Sequence, residues 1–226
     1  LFFAGTDTDV GKTYVASLVA GGLKQSGQRV GVYKPVASGC ENHAGQLVAG
    51  DAVQLWQAAG RPRTLDDVCP QRFAAPLAPP QSAAAEGKQI DIDLLRRGAE
   101  CWIDGFDVRI IEGAGGLLSP LADGLLNIDF LQEFAGAKLI IVAANRLGVI
   151  HQVLATCEAA RHRGVVPTGV ILSQTTRDGD ESVATNRRGI ERYSDIPILG
   201  SIAFGAQSWG ELSQIARLLG ISARLP

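Results

Sequence analysis

The sequence predicts an α/β fold, a mostly parallel β-sheet with helices on both faces. Short apolar runs rich in β-branched residues alternate with helical patterns from one end of the chain to the other. These runs are continuously apolar rather than alternating, as strands covered on both faces must be. A glycine-bearing loop joins the first run to the first helical pattern.

Leu1-Phe2-Phe3-Ala4 reads as a short buried strand. Thr13 to Ser26 carries Val15, Leu18, Val19 and Leu23 at helical spacing, and Gly27 supplies the stop. Arg29 to Tyr33 is a second strand, and a helical pattern opens at Asp51. Arg61 to Gly87 contains Pro62, Pro70, Pro76, Pro79 and Pro80 and lacks periodicity, so it reads as a loop-rich excursion. Strands follow it, so it is not a domain boundary, and residues 1–226 read as one domain. Helical patterns follow at Ile92–Ile103, Ile150–His162, Glu181–Tyr193 and Leu212–Leu219. Strands are expected at Val108–Ile111, Leu139–Val142, Val165–Leu172 and Ile196–Leu199.

Bulk properties narrow the function classes. A 46% hydrophobic, 19% charged composition fits a folded globular protein. With a net charge of −2 and no Lys/Arg run, nucleic acid is not expected as a partner. No apolar stretch approaches the roughly 20 residues that a transmembrane helix needs, and no basic segment precedes the first strand, so no membrane partner or secretory signal is expected. The chain has no Met and opens inside an apolar run, so a few residues are expected before Leu1. Cys40, Cys69, Cys101 and Cys157 are scattered without a C-x-x-C pair, the pattern of reduced structural thiols in a cytoplasmic protein.

The loop GTDTDVGKT, Gly5 to Thr13, carries the clearest chemistry. A phosphate-binding loop reads G-x-x-x-x-G-K-[ST]. Here five residues separate Gly5 from Gly11, and Thr6 stands where the first glycine should be. The working end, Gly11-Lys12-Thr13, is intact, and it lies between a strand and a helix. Backbone N–H groups at a helix N-terminus bind anions. Lys12 would reach terminal phosphates, and the Thr13 hydroxyl would ligate Mg²⁺.

Three further stretches join it. Glu112 follows the strand Val108–Ile111, at the strand end where parallel α/β sheets bind ligands. Gly113-Ala114-Gly115-Gly116 then lets backbone approach a ligand closely. In YKPVASG, Tyr33 to Gly39, Lys34 closes a strand and brings a second ammonium to the same sheet edge, with the Ser38 hydroxyl nearby. Two lysines around one site suit a phosphoryl group in transfer. Asp51, taken alone, reads as a helix cap.

Together GTDTDVGKT, YKPVASG, Asp51, the F-x-x-P run at Phe73–Pro76, EGAGG at 112–116 and NRLG at 145–148 closely resemble the dethiobiotin synthetase family, from Leu1 to about Leu172. The resemblance implies a P-loop NTPase type of α/β fold and a cytoplasmic, homodimeric ligase of biotin biosynthesis. Its implied reaction joins CO₂ to 7,8-diaminononanoate, with MgATP, to give dethiobiotin, ADP and phosphate. By resemblance, Lys34 and Lys12 are catalytic, and Thr8 and Ser38 contact the diamine or its carbamate. Thr13, Asp51 and Glu112 would hold Mg²⁺, which turns Asp51 from a cap into a ligand. Asp9, Val10, Gly11, Lys12, Thr13 and Tyr14 would line the nucleotide, with Asp51, Glu112, Gly113, Ala114 and Gly115. Leu147, Gly148 and His151 would meet the substrate's carboxylate end across a dimer interface.

The chain departs from the family pattern in three places. Ser173 stands where the family commonly has the Asn that reads adenine, so Ser173 and Gln174 become the expected base contacts and base preference stays open. Ala203 replaces a proline near the base. Ile150-His151-Gln152 replaces Ile-Asn-His, which makes His151 the expected hydrogen-bond donor to the carboxylate. The alternatives are an ATP-driven switch of the plasmid-partition or division-positioning type, and a ligase of the same fold that amidates a larger acid. The switch class often carries an extra lysine early in the loop, where this chain has Thr6, Asp7 and Thr8. The compact length and the KPVASG run argue against the larger ligase.

Overall fold

The computed structural model describes residues 1–208, together with Ile215 and Gly220. The chain opens with β1 (Phe2–Gly5), α1 (Lys12–Gln25), β2 (Val30–Tyr33) and β3 (Val36–Ala37). The hairpin strands β4 (Glu41–His43) and β5 (Gln46–Val48) lead into α2 (Gly50–Ala58). Next come α3 (Leu65–Val68), β6 (Gln71–Arg72), α4 (Pro79–Ala85), α5 (Ile92–Glu100) and the long strand β7 (Val108–Gly116). A second small hairpin, β8 (Pro120–Ala122) and β9 (Leu125–Leu126), runs into α6 (Asn127–Gln132). The described chain ends with β10 (Leu139–Ala144), α7 (Val149–His162), β11 (Gly169–Ser173), α8 (Val183–Tyr193) and β12 (Ile198–Ile202).

Among the described residues, six strands form the central sheet in the order β12-β11-β10-β1-β7-β2. Every neighbouring pair in it is parallel. β1, β10 and β11 are buried at every residue, which is why they read as unbroken apolar runs. Because the strands share one direction, Gly5, Tyr33, Ala144 and Ser173 all end at the same sheet edge. From β1 the chain crosses over β7's place to β2, whereas β10, β11 and β12 build outward on the other side. The loop leaving β1 therefore lies at the reversal of strand order, where open α/β sheets place their ligand crevice. α1 packs through Val15, Ala16, Val19, Ala20 and Leu23, all buried at helical spacing.

Several elements differ from the expected ones. β11 begins at Gly169 rather than Val165, because Pro167 has no N–H for a ladder and Val166 is exposed. β12 starts after Pro197, at Ile198, and runs on to Ile202. β7 does not stop at Ile111 but continues through the glycines to Gly116, which pairs with Gly5. Asp51 lies inside the first turn of α2, whose cap is Ala49, so it caps nothing. The excursion at 61–87 is more ordered than its prolines indicate. Thr64 and Asp67 form a capping box for α3, β6 pairs with β3, and Pro79 opens α4. The pattern expected at Leu212–Leu219 lies outside the described residues except for Ile215, which is helical and buried. All four cysteines are unpaired, and Cys40, Cys69 and Cys157 are buried.

A surface pair fastens the start of β2 to the start of β7. Arg29 donates to Asp107 from its backbone N and from its guanidinium, at 2.9 and 2.7 Å, and Asp107 N donates back to Arg29 O at 2.8 Å. Hydrogen bonds from the Arg29 side chain hold the Asp107 carboxyl down at about 2, from an ordinary 3.8. The folded-state value is the lower one, so the contribution is complete above pH 3.8 and lost as pH falls toward 2. Urea denaturation should therefore find wild type more stable than Asp107→Asn at neutral pH, with the gap closing across that window. A gap independent of pH would contradict this reading.

Candidate active site

The loop between β1 and α1 is shaped by two left-handed residues. Gly11, the N-cap of α1, has φ +82°, and a Cβ there would fall 2.6 Å from Ser173 Oγ. Asp9 adopts φ +57° without being glycine, a strained conformation of the kind that clusters at ligand clamps. No side chain caps α1 and no acidic residue occupies its first turn. Its leading N–H groups and positive dipole end are thus available to an anion.

Below the loop, one carboxylate gathers the reactive groups. Glu112 is fully buried on β7. Its Oε1 accepts from Thr13 Oγ1 at 2.7 Å and from Lys34 Nζ at 2.8 Å, while Lys12 Nζ stands 3.6 Å away. Lys34 Nζ also lies 3.5 Å from Asp51 Oδ2. The two lysines are driven in opposite directions. Burial pulls the Lys12 ammonium below the ordinary 10.5, against the attraction of Glu112, and the charge of Lys34 adds to the pull. Burial also disfavours the Lys34 ammonium, but Glu112 and Asp51 outweigh it and hold Lys34 above 10.5. Burial works against the Asp51 carboxylate, yet Lys34 and Lys12 keep its pKa below the ordinary 3.8. Lys34 is therefore an ammonium at neutral pH, a source of positive charge rather than a base.

A cavity of about 910 Å³ opens above this cluster. Its wall includes Thr8, Asp9, Gly11, Lys12, Thr13 and Tyr14 from the loop and the start of α1. Lys34, Ser38 and Asp51 line the β2 side, Ala114 and Gly115 the middle, and Ser173 and Gln174 the β11 side. Most of the residues singled out in the sequence thus meet in one cavity. Val10 is an exception, with its side chain buried in the core. Glu112 and Gly113 lie behind the wall rather than in it. Leu147, Gly148 and His151 do not line this cavity. They open α7 at the same sheet edge, with Leu147 81% exposed and its N–H donating to Asp180 Oδ2 at 2.8 Å.

The donor set suits a hard cation. Glu112 Oε2 is buried and has no partner, and the Thr13 hydroxyl sits on the same carboxylate. Mg²⁺ takes one or two carboxylates with hydroxyl, water and phosphate oxygens at octahedral positions, so a fuller cage is not required. Among the described residues no group of three or more His, Cys, Asp or Glu side chains is placed to hold a metal.

Sequence reasoning missed Asn127. It is fully buried at the start of α6, and its Nδ2 lies 2.7 Å from both Ala114 O and Gly116 O. Its Oδ1 accepts from Ala114 N at 3.1 Å. Ser119 Oγ completes the brace by accepting from Gly116 N at 2.9 Å. The glycine-rich end of β7 is thereby held rigid. The only signal in the sequence is a polar residue inside the apolar run Leu125-Leu126-Asn127-Ile128. Gln54, the Pro76–Pro79 segment, Thr175 and Phe204 also line the cavity and were not anticipated. Asn127→Ala would strand buried backbone groups and should lower the unfolding free energy by about 3 kcal/mol, read by urea denaturation. A loss below about 1 kcal/mol, no more than one ordinary hydrogen bond, would show that the brace is not needed.

Known proteins resemble the chain along most of its length. A family model described as an AAA domain matches residues 1–208. The "ATP-dependent dethiobiotin synthetase BioD" of Rhodopirellula baltica is 49% identical over 211 residues, covering 89% of this chain and 82% of its own. The protein of the same name from Bacillus cereus strain B4264 is 36% identical over 205 residues, covering 91% and 83%. Among solved structures, the signal recognition particle receptor FtsY of Elizabethkingia anophelis has a TM-score of 0.51 at 17% identity, over 96% of this chain and 64% of that one. Chloroplast FtsY of Physcomitrella patens gives 0.50 at 18%, over 96% and 63%. This chain spans less than two thirds of either receptor, and at such identity the likeness is one of fold alone. With a phosphate loop, a buried lysine–glutamate centre and relatives of this similarity along most of its length, the chain belongs to the ATP-dependent dethiobiotin synthetase family.

Proposed function

We propose that this cavity joins CO₂ to 7,8-diaminononanoate at the expense of ATP, closing a cyclic urea to give dethiobiotin. The observation that carries the reading is the convergence of Lys34 and Lys12 on one buried oxygen of Glu112, at 2.8 and 3.6 Å, beneath the phosphate loop. One amine of the substrate adds CO₂ and loses a proton to become a carbamate. A carbamate oxygen attacks the γ-phosphorus and ADP leaves. The second amine then attacks the carbonyl carbon of the mixed anhydride and expels phosphate.

Each residue has a place in that sequence. The N–H groups at the start of α1 hold the phosphates, with Lys12 neutralising the terminal one. The Lys34 ammonium, fixed by Glu112 and Asp51, faces the carbamate and the phosphoryl group as it crosses, where charge is greatest. Thr8 and Ser38 lie on the cavity wall within reach of the diamine side. Thr13, Glu112 and Asp51 would hold Mg²⁺, which supplies charge neutralisation on the phosphate oxygens when bound. Leu147, Gly148 and His151, outside the cavity of their own chain, would serve the carboxylate end of the substrate across a homodimer interface. The exposure of Leu147 supports that placement.

The experiment is direct. Protein incubated with MgATP, bicarbonate and 7,8-diaminononanoate should form dethiobiotin, detected by mass spectrometry, with ATP turnover dependent on the diamine. Lys34→Gln, which keeps hydrogen-bonding capacity but removes the charge, should lower kcat about a hundredfold or more. ATP turnover indifferent to the diamine, or full activity in Lys34→Gln, would contradict the proposal.

A further inference from the structure

Strand order gives the cavity a direction. Lys34 follows β2 at one edge of the sheet, whereas Ser173 ends β11 and Phe204 follows β12 at the other. A triphosphate seated on the loop after β1, with its reacting end toward Lys34, must extend its nucleoside end toward Ser173, Gln174, Thr175 and Phe204. The one side-chain amide there is already engaged. Ser173 Oγ packs against Gly11, and Gln174 Nε2 donates to Thr176 O and Arg177 O at 3.0 and 3.1 Å. Beside the small hydroxyls of Ser173 and Thr175, the surface that can meet a base is the ring of Phe204, 48% exposed on the cavity wall, and the backbone of the turn that carries it.

That turn is held at both ends. Ala206 N donates to Ala203 O at 3.3 Å across it, and Gly205 takes φ +73°, a conformation that a side chain would oppose. Gln174 N donates to Ile202 O at 2.9 Å, joining the end of β11 to the residue before the turn. A third tie comes from the phosphate loop itself. Tyr14, in the first turn of α1 and next to Thr13, donates its hydroxyl to Ala206 O. One side chain thus connects the helix that binds phosphate to the turn that faces the base.

We propose that Tyr14 is a positioning residue that sets base selectivity, by fixing the turn Ala203–Ala206 and the Phe204 ring against the nucleoside. The inference rests on the nucleotide reading of the cavity. An aromatic face and fixed backbone groups then replace side-chain amide readout. Stacking on Phe204 is tolerant of base identity, so discrimination comes from how firmly the turn is held.

The test compares wild type with Tyr14→Phe and Phe204→Leu, using ATP, GTP, CTP and UTP as substrates and inorganic tripolyphosphate as a competitive ligand. Tyr14→Phe keeps the ring and loses the tie. Its KM for the preferred nucleotide should rise about tenfold, the factor that one hydrogen bond supports. The spread of kcat/KM among the four nucleotides should narrow, while tripolyphosphate affinity and the KM for the diamine stay at wild-type values. Phe204→Leu should weaken all four nucleotides without touching tripolyphosphate. Combined with Tyr14→Phe it should cost less than the sum of the two, because both act through one turn. An unchanged spread in Tyr14→Phe would overturn the proposal. So would a parallel loss of nucleotide and tripolyphosphate affinity, which marks general damage to the phosphate loop. If wild type binds tripolyphosphate but no nucleotide, the nucleotide reading fails, and the proposal with it.

Discussion

Everything in this site depends on Glu112, a carboxylate with no exposure to solvent that is shared by a threonine and two lysines. A buried carboxylate is tolerable only with charge and hydrogen bonds around it, and here one oxygen has them while the other has none. That asymmetry leaves one hard, desolvated oxygen without a partner beneath the phosphate loop. It also locks Lys34 as an ammonium, because removing Glu112 would strand a buried positive charge at a cost of about 3–5 kcal/mol. Two carboxylates, Glu112 and Asp51, face two lysines, so the floor of the cavity is close to neutral before phosphate arrives.

The parallel sheet makes this arrangement possible. Lys12 and Thr13 come from the start of α1, just after β1, Lys34 from the end of β2 and Glu112 from β7, which lies between those two strands. Three segments distant in sequence reach one point because their strands end at one edge. Asn127 and Ser119 then hold the continuation of β7 so that its glycines meet the cavity at a fixed depth. Covalent order contributes little. Glu112 lies 99 residues from Thr13 and 78 from Lys34, and the sheet closes both gaps.

Much of this was legible from residue patterns, for reasons that vary by element. The central strands could be read because burial on both faces leaves unbroken apolar runs, as in Leu139–Val142. GTDTDVGKT could be read because its working end needs particular residue types in a fixed order. The glycines after Glu112 read as backbone open to close approach by a ligand, but not as strand, since the pairing of Gly116 with Gly5 is a tertiary fact. The hairpins at 41–48 and 120–126 and the two-residue strand β6 are too short for any period to develop. Asp51 read as a cap because its partner, Lys34, is brought to it only by folding. Asn127 was invisible for a related reason. An asparagine in an apolar run declares that it is satisfied, not by what.

In the reaction proposed above, the Glu112-centred cavity moves a phosphoryl group onto a carbamate oxygen rather than onto water. Tracing oxygen tests it most directly. With ¹⁸O-labelled bicarbonate, over times short against exchange with solvent, the phosphate released with dethiobiotin should carry one labelled oxygen. That oxygen is the bridging atom of the mixed anhydride, which departs with phosphorus when the ring closes. Phosphate that takes its new oxygen from water, with none from bicarbonate, would contradict the account.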